Sequence, residues 1–255
     1  VTIREIRRRR GDPSKIVEVD RTDFLKRYWL ERPGDHVTIL APTGMGKTHL
    51  AFELLDVSHK QTGIPPIFFA TKPRDDMVRD RAKQLGWRTI GTWPPPISKQ
   101  FGNPPGWLLW PDHTADPDVD DAHHYDVFRN AMIMPFKAGA RRRNPISSRE
   151  VWDEAGTLAR DLNLAREQRQ VLKRGRSCKC GGWTMDQRAA WLPMESYNCA
   201  EHLFLHRDPV KANRERYDDI GGFDPGLVSD VLMGLPKWHY LYLRQSDQVM
   251  CVIGP

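Results

Sequence analysis

Lys47 and Thr48 follow a run with two glycines, Ala41-Pro42-Thr43-Gly44-Met45-Gly46, which itself follows the apolar stretch Val37-Thr38-Ile39-Leu40. A helix-like apolar pattern begins directly after them, at His49-Leu50-Ala51-Phe52. A strand, tight turn and helix in that order converge backbone N–H groups on an anion at a helix N-terminus, where the helix dipole adds positive potential. The spacing is that of a phosphate-binding loop, G-x-x-x-x-G-K-[ST], with Ala41 in place of the first glycine. A small residue can replace that glycine where its φ is negative. Thr43, Gly44, Met45, Gly46, Lys47, Thr48 and His49 are then the expected nucleotide contacts. Lys47 would bridge the terminal phosphates and the Thr48 hydroxyl would ligate Mg²⁺.

A nucleoside triphosphatase also needs an acid for the metal and a group to activate water. Asp153 and Glu154 are the candidates, Asp153 holding Mg²⁺ through water and Glu154 acting on the attacking water. The residues before them, Ile146-Ser147-Ser148-Arg149-Glu150-Val151-Trp152, are more polar than a buried central strand should be. A surface Asp-Glu pair is the competing reading.

The elements that must position these residues alternate in type. Val37–Leu40 and Ile67-Phe68-Phe69-Ala70 read as strands, Asp75 to Leu85 as a helix, and Trp107 to Trp110 as a possible strand within a Pro- and Trp-rich connection at 92–121. Helices follow over Asp120 to Ala138, Leu164 to Arg174 and Asp208 to Ile220, with strands at Trp183-Thr184-Met185 and His202 to His206. The tail from His239 reads as a hairpin turning at Gln245-Ser246-Asp247-Gln248. Alternating strands and helices indicate an α/β fold with a mostly parallel sheet flanked by helices. The expected organisation is a basic N-terminal segment, 1–32, and a single domain over 33–255.

The chain of 255 residues has a net charge of +6 and a pI near 9.2, which favours an anionic partner such as nucleic acid. Its 33 acidic residues make the charge mixed. No apolar run approaches the roughly 18 residues needed to cross a bilayer. Four cysteines without a secretory pattern point to a reducing, cytoplasmic setting. Cys178, Cys180 and Cys199 with His202 or His206 make a poor zinc pattern, so free thiols are expected. His123-His124 reads as part of a polar loop. The tryptophans at 87, 93, 107 and 110 read as core or interface packing.

Taken in order, "APTGMGKTHLA", "FFATKPRD", "VWDEAGTLARDLNL", "LKRGRS" and "MDQRAAWLP" resemble the FtsK/HerA group of P-loop ATPases over residues 34 to 245. That group includes DNA translocases of cell division and genome-packaging ATPases of phages and other viruses. The resemblance implies a RecA/ASCE-like fold, ATP and Mg²⁺ as cofactors, and double-stranded DNA moved through a homo-oligomeric ring. It places Gln187 as a polar sensor of the γ-phosphate, with Asp186 where the group usually has Thr and pointing away or paired with Arg188. It places an arginine finger, acting on the neighbouring subunit, at Arg176, with Arg174 second. Arg141-Arg142-Arg143 is the candidate DNA-contacting loop. A compact viral or mobile-element packaging motor, working in the host cytoplasm beside a portal or other motor component, is the implied function. A cellular or conjugation-type translocase and a nucleotide-gated DNA-binding or assembly protein are the alternatives.

Overall fold

The computed structural model describes residues 16–95, 104–114, 116–141, 143 and 147–255, so Arg7 to Arg10 and Arg142 lie outside the described residues. The strands are β1 (Glu18–Asp20), β2 (Val37–Leu40), β3 (Pro66–Phe69), β4 (Arg88–Ile90), β5 (Trp107–Leu109), β6 (Ser148–Trp152), β7 (Cys180–Asp186), β8 (His202–Leu205), β9 (Tyr240–Arg244) and β10 (Val249–Gly254). They form one sheet in the order β1-β10-β9-β8-β2-β7-β6-β3-β5-β4. From β8 to β4 every neighbouring pair is parallel, while β9 runs antiparallel to both β8 and β10. The expected parallel sheet and C-terminal hairpin are both present.

Helices cover both faces, and the strands alternate between them. Ile39, Phe68, Val151 and Phe204 pack on the face covered by α1 (Arg21–Arg27), α2 (Lys47–Thr62) and α3 (Asp76–Gln84). Leu40, Phe69, Trp152 and Leu203 pack on the other, against α4 (Pro117–Ala140), α5 (Ala155–Arg160), α6 (Ala165–Arg174) and, beyond the short α7 (Glu195–Asn198) and α8 (Lys211–Arg214), α9 (Pro225–Gly234). A one-residue slip would exchange the two faces of any strand, so this alternation holds the register that carries the site.

Several expectations need correction. The polar residues of β6 do not lie at the surface: Arg149 is 1% and Glu150 0% exposed. Arg149 pairs with Glu31 (Nε–Oε1 2.9 Å, Nη2–Oε2 2.5 Å) and donates to the Ile64 carbonyl at 2.8 Å. Burial pushes the Glu150 carboxyl well above its usual range, and Cys180 Sγ donates to its Oε1 at 3.1 Å. A central strand tolerates these groups because each has a partner from another element. β7 is seven buried residues rather than the three expected. The polar helix expected over Asp208 to Ile220 is the single turn α8 followed by a 3₁₀ turn, Glu215–Asp219. Residues 16–32, expected within a basic segment outside the domain, are part of the sheet and core: β1 pairs with β10, and Phe24 and Trp29 are buried. All four cysteines are free, and no group of metal-ligating side chains forms among the described residues.

Candidate nucleotide site

β2, buried at every position, ends at Leu40; the next residue, Ala41, keeps φ out of the left-handed region and donates its N–H to the Asp186 carbonyl at 3.3 Å. The chain then turns through Gly44 (φ 78°) and Gly46 (φ 83°), a backbone that L side chains resist. Gly46 caps α2 with no side-chain hydrogen bond, so the helix's first N–H groups are free to receive an anion. Beside them lies a cavity of about 340 Å³. Thr43, Gly44, Gly46, Lys47 and Thr48 line it from the loop, and Lys72, Met77, Glu154, Gln187 and Trp238 line it from elsewhere.

Met45 and His49 do not line this cavity. Met45 packs against the core and its carbonyl accepts from Tyr240 Oη at 2.8 Å. The His49 ring is held between Glu53, at 3.2 Å, and Arg81, at 2.7 Å. Their side chains are therefore engaged away from the cavity.

β6 delivers the acids. Asp153 is 3% exposed, and its Oδ1 has no hydrogen-bond partner among the described residues. Burial raises its pKa against the pull of Lys47 and Lys72. Lys47 Nζ is likewise buried without a partner. A buried ammonium and a buried carboxylate oxygen left unsatisfied are costly unless a ligand completes them. Thr48 and Asp153 supply hard oxygen donors of the kind that suit Mg²⁺, so the residues present fit that ion.

Glu154 begins α5 in the left-handed region, φ 53°, a strained backbone that aims its side chain into the cavity. Its Oε1 accepts from Gln187 Nε2 at 2.8 Å and from Lys72 Nζ at 2.9 Å. Gln187 in turn accepts from Thr43 Oγ1 at 2.5 Å. A hydrogen-bonded chain thus runs from the phosphate loop through Gln187 and Glu154 to Lys72. Burial would raise the Glu154 pKa, but the Lys47 charge and the bonds from Lys72 and Gln187 prevail and hold it below the usual value. Lys72 is pulled down by burial yet ends raised, through Glu154 and the charges of Asp153 and Asp75. Both stay ionised near neutral pH.

Asp186 does not pair with the Arg188 side chain. Its Oδ2 accepts from the Gly156 N–H at 2.6 Å and its Oδ1 from the Arg188 N–H at 2.8 Å. It therefore braces the end of β7 against the start of α5, while the Arg188 guanidinium lies 4.2 Å from the Trp191 ring centroid. Arg176 and Arg174 are exposed near the start of β7, the end opposite the phosphate loop, with Arg176 3.7 Å from Asp35. Arg141, which caps α4, lies at that same edge, where Gly139 abuts Cys178 closely, and Arg143 is exposed.

Lys72, Met77 and Trp238 line the cavity from outside the loop and were not singled out by the sequence. Lys72 lies in "FFATKPRD", just past a strand that neighbours β6, and its position at the strand's C-terminal end was the available signal. Nothing local marks Trp238, which only tertiary packing brings beside Gly46.

No protein-family model matches the chain, and no curated protein does. Among solved structures it is similar to B204, the DNA-packaging ATPase of Sulfolobus Turreted Icosahedral Virus, with a TM-score of 0.59 at 13% identity over 88% of this chain and 99% of that one. The genome-packaging NTPase B204 of Sulfolobus turreted icosahedral virus 2, in complex with AMPPCP, gives 0.57 at 12% identity over 88% and 99%. The pCW3 conjugation coupling protein TcpA, in its monomer form with ATPγS, gives 0.50 at 14% identity over 86% of this chain and 59% of that one. The chain has the fold of packaging and FtsK-type P-loop ATPases.

Proposed function

We propose that the protein hydrolyses ATP with Mg²⁺ to move double-stranded DNA through a ring of its own copies, as a viral or mobile-element genome-packaging motor. The observation that carries the ATPase part is Lys47 Nζ, buried without a partner at the cavity that the hydrogen-bonded Glu154 also lines, with the unsatisfied Oδ1 of Asp153 one residue before Glu154. Lys47 and the first N–H groups of α2 bind the phosphates. Thr48 and Asp153 hold Mg²⁺, which when bound neutralises phosphate charge. Glu154 takes a proton from water as the water oxygen bonds to the γ-phosphorus. The bond from that phosphorus to the bridging oxygen breaks, and ADP and phosphate leave. Gln187 joins Thr43 to Glu154 and so registers the γ-phosphate.

Arg176, with Arg174 second, stands too far along the sheet to reach its own loop, since a seven-residue β7 spans about 20 Å. It serves the neighbouring subunit's transition state instead. Arg141 and Arg143, with Arg142, contact DNA phosphates. The similarity to TcpA favours a second reading, a conjugation-type coupling ATPase that relies on partners to select DNA. A nucleotide-gated assembly protein would bind ATP without turning it over.

The test is steady-state ATP hydrolysis with and without long double-stranded DNA, beside Lys47→Ala and Glu154→Gln. Hydrolysis that rises with DNA and is lost in both variants is expected. Binding without turnover would replace the motor by the nucleotide-gated protein.

A further inference from the structure

Beside the groups that suit phosphate, the cavity wall carries one large aromatic side chain. Trp238 is 47% exposed, lines the cavity, and places its Cδ1 3.4 Å from where a Cβ on Gly46 would lie. Its backbone is left-handed, φ 65°, a conformation bulky residues rarely adopt. The strained position is held from several directions. Arg21 Nη2 donates to the Trp238 carbonyl at 2.6 Å and Arg21 Nη1 lies 3.7 Å from Glu53. Two residues on, Tyr240 Oη ties the same segment to the Met45 carbonyl in the phosphate loop. Lys237 Nζ sits 4.5 Å from the centroid of the indole.

The order of the sheet supplies a direction. β7 and β6 lie on one side of β2 and bring Gln187 and Glu154; β3, beyond them, brings Lys72. β8 and β9 lie on the other side, and Trp238 stands just before β9. A nucleoside triphosphate with its terminal phosphoryl at Glu154 and Gln187 extends its other end away from β7, toward the indole. Met77, the other exposed apolar side chain of the wall, belongs to α3 on the phosphoryl side.

We propose that Trp238 is the base platform of the site, stacking its indole on the purine ring of the bound nucleotide. The inference rests on the nucleotide-binding reading above. An indole face recognises a flat π-system rather than ring substituents, so Trp238 favours purines over pyrimidines without separating adenine from guanine. Its affinity contribution belongs to the base alone and leaves the phosphate contacts of Lys47 untouched.

The experiment compares equilibrium binding of ATPγS and of inorganic tripolyphosphate to the full chain, to Trp238→Ala and to Trp238→Phe, with thermal unfolding as a check on folding. Loss of one aromatic stack is expected to raise the Kd for ATPγS roughly ten- to a hundred-fold in Trp238→Ala. Tripolyphosphate binding should not change, and Trp238→Phe should keep most of the ATPγS affinity. Unchanged ATPγS binding in Trp238→Ala overturns the proposal, and would leave the indole as a surface for a subunit or DNA. Equal weakening of both ligands also overturns it, making Trp238 a support of the loop. If the unaltered protein binds neither ligand, the nucleotide reading falls and this inference with it. If it binds both and Lys47→Ala binds neither, that reading stands whatever Trp238 does.

Discussion

Glu154 can act as a base only while ionised, and three neighbours keep it so against burial: Lys47 by charge, Lys72 by a hydrogen bond and charge, and Gln187 by a hydrogen bond alone. Because the folded-state pKa is depressed, the carboxylate persists well into acid, and activity should fall only as pH drops through that lowered value. Lys72→Met removes a bond and a charge, so the Glu154 pKa rises and the acid limb of the kcat/KM profile moves to higher pH. An acid limb at the same pH in the variant would reduce Lys72 to a strut. The local fold at this scale was legible: the spacing of Gly46, Lys47 and Thr48 implied a strand, a tight turn and a helix, and that is how the chain runs. Asp186 was not, because nothing in a one-dimensional pattern says that a carboxylate will be taken by the N–H groups of Gly156 and Arg188.

The strands show why the reading of elements from pattern stops where it does. Polarity argued against β6 as a central strand, yet the partners that neutralise it come from distant segments: Glu31 is 118 residues from Arg149, and Ile64 is 85 away. Removing one member of such a buried pair strands the other. Arg149→Met is expected to cost about 3–5 kcal/mol, and adding Glu31→Gln should recover a good part by removing the unpaired charge while leaving an acceptor for Trp183 Nε1. Denaturant unfolding of the single and double variants checks this; no recovery in the double variant would mean that packing, not charge, dominates. β7 was read short for a related reason. Gly181-Gly182 lowers strand propensity, but a Cβ on Gly182 would stand 2.8 Å from Trp152 Cη2, so the glycine serves close packing between strands. The short apolar runs of β2, β3 and β8, buried at every position, were legible.

The molecule has two chemically distinct edges. The C-terminal ends of the parallel strands carry the phosphate loop, the acids and Gln187, while the other edge carries Arg176, Arg174 and Arg141. If Arg176 serves the next subunit, Arg176→Ala should bind ATP normally and turn over poorly. Mixing it with Glu154→Gln should then restore some hydrolysis, because some interfaces combine an intact base with an intact arginine. Mixtures no more active than either variant alone would exclude action in trans. No helix among the described residues is long and apolar enough to cross a membrane.

In mechanical terms, β7 is a short beam, paired with β6 over Cys180–Thr184 and with β2 over Trp183–Asp186. One end is clamped through Asp186 to the turn that presents Glu154, and the other begins just past Arg176. A tilt of about five degrees at the clamped end would swing the far end by about 2 Å over a span of about 20 Å. If Gln187 contacts the γ-phosphate as proposed, a change there reaches the edge that carries Arg176 through this one strand, without any element unfolding.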